Sequence, residues 1–124
     1  MAEEWKPAGW STITPRIVTQ DVEGLIAFLQ AAFDAEGAFV CGRPSQLRIG
    51  DSMIMVSDGG GIRPAMPAFL HLYVRDVDRT YGKAIAAGAR AIEQPTAMPW
   101  GDRRATVSDQ WDNLWQIATV QNPI

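Results

Sequence analysis

The chain has 124 residues, of which 47% are hydrophobic and 20% charged, a composition that predicts one globular domain spanning residues 1–124. The formal net charge is −3, and Lys and Arg are scattered, so the chain lacks the basic patch that binding to nucleic acid requires. The start of the chain is acidic and no apolar run approaches the roughly 18 residues that span a bilayer, so we expect a cytoplasmic protein without membrane contact.

The first half of the chain predicts a short strand, a helix and three further strands. Asp21 is a good helix N-cap, and apolar residues then recur at three- and four-residue spacing from Val22 to Phe33. Gly50-Asp51 indicates a tight hairpin turn. The three strands are predicted over residues 38–41, 46–49 and 52–56. Cys41, the only cysteine, forms no intramolecular disulfide and is interpreted as a small buried residue of the first of them.

The second half repeats this order at an offset of 55 residues, which separates Asp21 from Asp76. Residues 17–23 reappear as residues 72–78, and a second helix is predicted from Asp76 to a C-cap at Gly88. Glycine and proline between the halves indicate a flexible linker over about residues 58–68. The modules are therefore predicted at about 11–57 and 69–120, and the strands of the second module at 90–93, 104–108 and 114–119.

The sequence resembles the glyoxalase/bleomycin-resistance, or vicinal oxygen chelate, superfamily over residues 11–120. The resemblance rests on Thr14-Pro15 and on residues 72–78, 86–89, 99–103 and 109–115, in that order. One departure is Gln110-Trp111, where relatives have a proline and a turn residue before a glycine. The resemblance implies an α+β fold in which two βαβββ modules form a curled mixed sheet around one cavity, commonly completed in a homodimer.

The resemblance also implies four metal ligands, one from the first and one from the last strand of each module. Seven residues before the two helix caps lie Thr14 and Phe69, and an alignment of residues 51–55 with 112–116 gives Met55 and Gln116. Phe69 offers no lone pair, Met55 is a soft thioether, and the other two are weak neutral donors. We therefore predict that the protein binds no metal and no cofactor.

Strand alternation turns the first-strand residues of the second module toward the predicted cavity. His71, the only histidine, either fixes a polar contact on an apolar wall or takes part in ligand recognition or proton transfer. Trp100 lies in a proline- and glycine-rich loop, residues 96–102, predicted to overhang the cavity as a stacking lid. The predicted ligand-binding residues are Thr14, Met53, Met55, Phe69, His71, Tyr73, Trp100 and Gln116.

This lining favours a protein that sequesters a small aromatic or apolar compound, as the bleomycin-resistance branch does with drugs in antibiotic resistance. An alternative is a glyoxalase-like lyase, dioxygenase or isomerase, with His71 as base and Tyr73 or Gln116 as hydrogen-bond donor. A third is a structural dimer without a ligand. Trp5 and Trp10 lie in an N-terminal arm that must dock on its own domain or on a dimer partner.

Overall fold

The structure, a computed structural model, describes residues 5–60, 62 and 64–121. Within these residues it is an α+β fold with seven strands and two helices, and no helix of this part is long and apolar enough to cross a membrane. In chain order the elements are β1 (Arg16–Thr19), α1 (Val22–Phe33), β2 (Ser45–Ile49), β3 (Ser52–Asp58), β4 (Phe69–Tyr73), α2 (Val77–Ala86), β5 (Arg90–Ala97), β6 (Asp102–Ser108) and β7 (Leu114–Val120).

The strands form two mixed sheets, of three and four strands. The first has the order β1-β3-β2 and the second β4-β7-β6-β5. In each, the first strand of the module pairs in parallel with the last, as β1 does with β3 and β4 with β7. Two residues, Gly50 and Asp51, join β2 to β3, and Gly50 has a φ of 59°, which confirms the predicted hairpin.

Both helices begin where their caps predict. The Asp21 carboxylate accepts from the backbone N–H of Gly24, and the Asp76 carboxylate accepts from that of Arg79. The second helix ends at Ala86, and Gly88 follows with a φ of 109°, a conformation that favours glycine. The repeat therefore locates both helices correctly.

One apolar core is shared by both modules. It contains the inward faces of α1 and α2, Ile54 and Val56 from the first sheet, and Trp115 and Ile117 from the second. The Phe33 ring of α1 lies 5.1 Å from the Trp115 ring, centroid to centroid. Because the two sheets turn their helix-side faces toward this common core, their opposite faces point outward. Within the single chain, the two sheets therefore do not enclose the predicted cavity between them.

The first module also departs from the predicted βαβββ order, because residues 38–41 form no strand. Only an isolated bridge joins Glu36 to Arg48, and the chain then turns at Gly42, whose φ is 86°. Pro44 follows and has no N–H to donate to a neighbouring strand. Cys41 is consequently exposed in a turn, so the prediction that it is buried is also wrong.

The unusual β6–β7 turn packs against the start of α1. Trp111 lies so close to Gly24 that a Cβ at that glycine would meet the indole at 2.8 Å. Asp112 adopts a φ of 68°, a conformation that aspartate tolerates better than most residues. The Trp111 indole thus covers the first turn of α1 and also packs against the shared core.

Candidate functional site

The outward face of the second sheet carries most of the predicted site residues. Phe69, His71 and Tyr73 alternate along β4 with Leu70 and Leu72, which pack against the core as predicted. Phe69 and Tyr73 are 61% and 62% exposed, and the His71 and Tyr73 rings are 4.8 Å apart. This surface, which we call the second-sheet face, therefore presents aromatic rings to solvent in the isolated chain.

A polar row crosses this face next to the aromatic rings. His71 pairs in register with Gln116, and Gln116 with Thr106. Glu93 of β5 continues the row and accepts hydrogen bonds from Thr106 Oγ1 at 3.0 Å and from Arg104 at 3.0 and 3.2 Å. The hydrogen bonds from Arg104 lower the pKa of Glu93 below its ordinary value, so the pair stays ionised and mutually neutralised.

Tyr73 is bound to a buried carboxylate. Its hydroxyl donates to Asp102 Oδ2 at 3.0 Å, and this hydrogen bond raises the pKa of Tyr73 above its ordinary value. The phenol therefore stays protonated, and its hydrogen is directed at Asp102 rather than outward. This geometry weighs against Tyr73 as a proton donor to a bound substrate.

Trp100 lies in a hairpin turn rather than in a long irregular loop. β5 extends to Ala97 and β6 begins at Asp102, so the turn is much shorter than the predicted loop over residues 96–102. Pro95 is accommodated within β5 because this strand is at the edge of its sheet. The indole is 51% exposed, and the Arg104 guanidinium carbon lies 5.5 Å from its ring centroid.

A groove of about 790 Å³ adjoins this face along β4. His71 and Tyr73 line one side, and Asp51 and Ser52 of the β2–β3 hairpin line the other. Pockets that hold small organic molecules commonly measure about 300–1,000 Å³. The groove is therefore large enough for an organic ligand that also contacts the aromatic rings.

The first-module site residues lie elsewhere. Thr14 and Met55 line a separate pocket of about 210 Å³, together with Trp5 and Trp10 of the N-terminal arm. Met53 is half-buried on the same outward face of the first sheet. The arm thus lies on its own chain, although Trp5 remains 71% exposed. The eight predicted site residues consequently divide between two surfaces.

The quartet of residues at the positions predicted for metal ligands, Thr14, Met55, Phe69 and Gln116, does not suit a metal. Thr14 and Met55 lie on the first sheet's side of the molecule and Phe69 and Gln116 on the second's, with the helices between them. Phe69 has no donor atom and Met55 only a thioether. Within the described part of the chain, no group of three or more His, Cys, Asp or Glu side chains is placed to hold a metal ion.

Three further residues of this face, Glu93, Asp102 and Arg104, were not predicted from the sequence. Alternation along β6 could have identified Arg104, because Arg104 and Thr106 share a face with Gln116. The face on which Glu93 lies could not be predicted in the same way, because the register shifts of β5 against β6 interrupt the two-residue period of the strand.

Two mixed sheets in which the first strand of each module pairs in parallel with the last, each sheet backed by one helix, and the open face beside the last strand define a protein of the glyoxalase/bleomycin-resistance fold. The chain belongs to the Glyoxalase/Bleomycin resistance protein/Dioxygenase superfamily, whose model matches residues 12–117.

Known proteins similar to this chain include relatives and solved structures. An uncharacterised protein of Mycobacterium bovis, Mb0911c, is 30% identical over 122 residues, covering 85% of this chain and 80% of that protein. TioX from Micromonospora sp. ML1 has a TM-score of 0.75 at 22% identity, and the match covers 89% of this chain and 98% of TioX. The fosfomycin resistance protein FosX from Mesorhizobium loti has a TM-score of 0.66 at 17% identity, and the match covers 88% of this chain and 91% of FosX.

Proposed function

We propose that this protein binds and sequesters a small, uncharged aromatic compound without a metal. The observation that carries the proposal is the exposure of three aromatic side chains, Phe69, Tyr73 and Trp100, around an internally neutralised polar row on the second-sheet face. Large exposed aromatic side chains on one surface are costly in water and are typical of interaction sites.

The charges of this face favour a neutral ligand. Arg104 is paired with Glu93, and Asp102, which keeps its negative charge, is 7% exposed and accepts from Tyr73, so none of these three groups is available to pair with an ionic ligand. His71 and Gln116 remain as polar groups that can orient a ligand by hydrogen bonds. Aromatic walls with a few orienting polar groups suit a flat compound of low charge.

Apolar contact alone can supply useful affinity. Burying about 200 Å² of ligand apolar surface at roughly 25 cal/mol per Å² offers on the order of 5 kcal/mol before ordering costs. Each stacked ring adds about 1 kcal/mol. Affinity in the micromolar range is therefore within reach without a charged contact.

We also propose that a second copy of the chain closes the site. The second-sheet face is open in one chain, and Thr14 and Met55 lie on a different surface. A homodimer that places the first sheet of one copy over the second sheet of the other would bring all the predicted site residues to one cavity. Such an interface should bury more than about 1,000 Å² in total.

The dimer proposal predicts a solution mass of twice the chain mass of 13.6 kDa. Light scattering at micromolar concentration measures it directly. A monomer under those conditions would contradict the dimer and would leave the aromatic rings of the second-sheet face unprotected from water.

A neutral fluorescent probe, N-phenyl-1-naphthylamine, tests the binding function. We expect saturable binding that a strong chelator leaves unchanged, because no metal takes part. Phe69→Ala should weaken this binding by about tenfold, since it removes one aromatic wall. Ile85→Ala is the matched control, because Ile85 is an exposed apolar residue of α2 rather than of the second-sheet face. Binding that is lost with chelator, or equal loss in both variants, would contradict the proposal.

Gln116→Glu tests the metal-free part of the proposal separately. This change introduces a carboxylate, which is a strong metal ligand, at one of the four quartet positions. We expect metal content to stay at zero by elemental analysis, because Thr14, Met55 and Phe69 still cannot coordinate. Stoichiometric nickel, zinc, iron or manganese in the unmodified protein would refute the metal-free proposal.

An enzyme of the same fold is the second candidate, and the exposed His71 beside Gln116 is the observation in its favour. In this alternative, the His71 imidazole acts as a general base. The alternative predicts turnover that is lost in His71→Gln, whereas sequestration predicts that the bound compound is recovered unchanged.

A further inference from the structure

A further pocket lies beside β1 and the carboxyl end of β3, away from the second-sheet face of the same chain. It measures about 360 Å³ and is covered by the turn-forming residues 39–44. The side chains that matter for its chemistry are Arg16, Phe39, Cys41, Arg43, Ser57 and Asp58.

This pocket exists because the two modules differ. The second module has β5 after its helix, whereas the first has a segment that forms no strand between α1 and β2. The Val40 N–H donates to Ser45 Oγ at 2.9 Å, which ties the segment to the start of β2, and Gly42 then turns it over the end of the sheet. The segment therefore covers a space instead of extending the sheet.

The pocket carries an excess of positive charge. Arg16 Nε donates to Ser57 Oγ at 2.9 Å, a contact that orients the guanidinium and leaves its two terminal nitrogens available. Neither Arg16 nor Arg43 forms an ion pair with any residue that the structure describes. Asp58 is the one acid among the lining residues, so two guanidiniums face a single carboxylate.

An apolar wall accompanies these charges. The Phe39 ring is 41% exposed, and Val40 and Val56 also line the pocket. A guanidinium next to an aromatic ring recognises a carboxylate, sulfonate or phosphate group attached to an apolar body. We propose that this pocket binds a small organic anion through Arg16 and Arg43. Because Arg16 pairs in register with Met55 on the outward face of the first sheet, the pocket would lie near the partner's second-sheet face in the proposed dimer.

Two probes that differ by one charged group test this proposal on the full chain. The anion is 8-anilinonaphthalene-1-sulfonate, and N-phenyl-1-naphthylamine is its uncharged counterpart. The double variant Arg16→Gln with Arg43→Gln should bind the sulfonate about tenfold more weakly for each guanidinium removed, since a hydrogen bond to a charged group is lost each time. The same double variant should bind the uncharged probe as the unmodified protein does.

Cys41 reports where the sulfonate binds, because its exposed thiol lines the same pocket. Alkylation by iodoacetamide, followed by mass spectrometry, should slow in proportion to the fraction of protein carrying the sulfonate, and the uncharged probe should not slow it. Unchanged alkylation under saturating sulfonate would overturn the proposal.

A matched control separates a specific site from a general charge effect. Arg79→Gln with Arg90→Gln removes two exposed guanidiniums that line no part of this pocket. We expect this control to retain sulfonate binding and Cys41 protection. Equal weakening in both double variants would overturn the proposal, and thermal unfolding of each variant verifies that it is folded. Failure of the uncharged probe to bind would count against the second-sheet face alone.

Discussion

Asp109→Ala is expected to lower the free energy of unfolding by about 3–5 kcal/mol, because buried donors lose the carboxylate that accepts from them. Asp109 is 4% exposed and lies where β6 ends. Its carboxylate accepts from the backbone N–H groups of Trp111 and Asn113, from Asn113 Nδ2 and from Trp115 Nε1, all at 2.9 to 3.3 Å. Chemical denaturation monitored by tryptophan fluorescence measures the loss.

The effect should extend beyond the turn itself. Asn113 Oδ1 accepts from the backbone N–H of Ala68 at 2.8 Å, directly before β4 begins. The hydrogen bonds of Asp109 and Asn113 therefore connect the start of β7 to the start of β4. Asp51→Ala is the matched control, since the exposed Asp51 carboxylate accepts only from Ser52 Oγ within the described residues. We expect the control to change stability by less than about 0.5 kcal/mol. A similar small change in Asp109→Ala would mean that the buried donors find water or new partners.

Trp100→Ala should weaken binding of N-phenyl-1-naphthylamine by about 10- to 100-fold, which corresponds to about 1–3 kcal/mol. The turn over residues 98–101 fixes the indole above Arg104, so little order needs to be gained when a ring stacks on its exposed side. Fluorescence titration of the folded variant provides the measurement.

Trp5→Ala is the appropriate comparison for this variant. Trp5 is an exposed indole too, but it lies on the N-terminal arm beside the pocket of Thr14 and Met55. If the second-sheet face holds the ligand within one chain, Trp5→Ala should leave the affinity nearly unchanged. Weakening by Trp5→Ala at high protein concentration only would indicate that the partner's arm reaches the site. Unchanged affinity in Trp100→Ala would contradict the assignment of a stacking role to this residue.

The helices and the apolar faces of the strands could be predicted from the sequence because both depend on local properties. Asp21 and Asp76 cap their helices through hydrogen bonds within three residues, and the two-residue period of β4 sends Leu70 and Leu72 to the core whatever lies beyond it. The poor ligand chemistry of Phe69 and Met55 likewise follows from residue type alone.

Other features depended on contacts between distant parts of the chain. The segment over residues 38–41 has strand-forming residues, but the bridge of Glu36 to Arg48 and the turn at Gly42 divert it, and Cys41 becomes exposed as a result. The ion-pair partner of Arg104 could not be predicted either, because Glu93 lies beside Arg104 only through the irregular register of β5 against β6. Propensity describes a segment by itself, whereas these outcomes depend on its neighbours.

The sequence by itself thus determined the repeat, the helices, the apolar side of each sheet and the absence of suitable metal ligands at the quartet. Only the tertiary structure decided that both helix-side faces pack into one core, from Phe33 against Trp115 to Val56 and Ile117. The physical reason is that periodicity specifies which surface must leave water but not which other surface it will meet. Because the helices lie between the sheets, Thr14 and Met55 are separated from Phe69 and Gln116 within one chain.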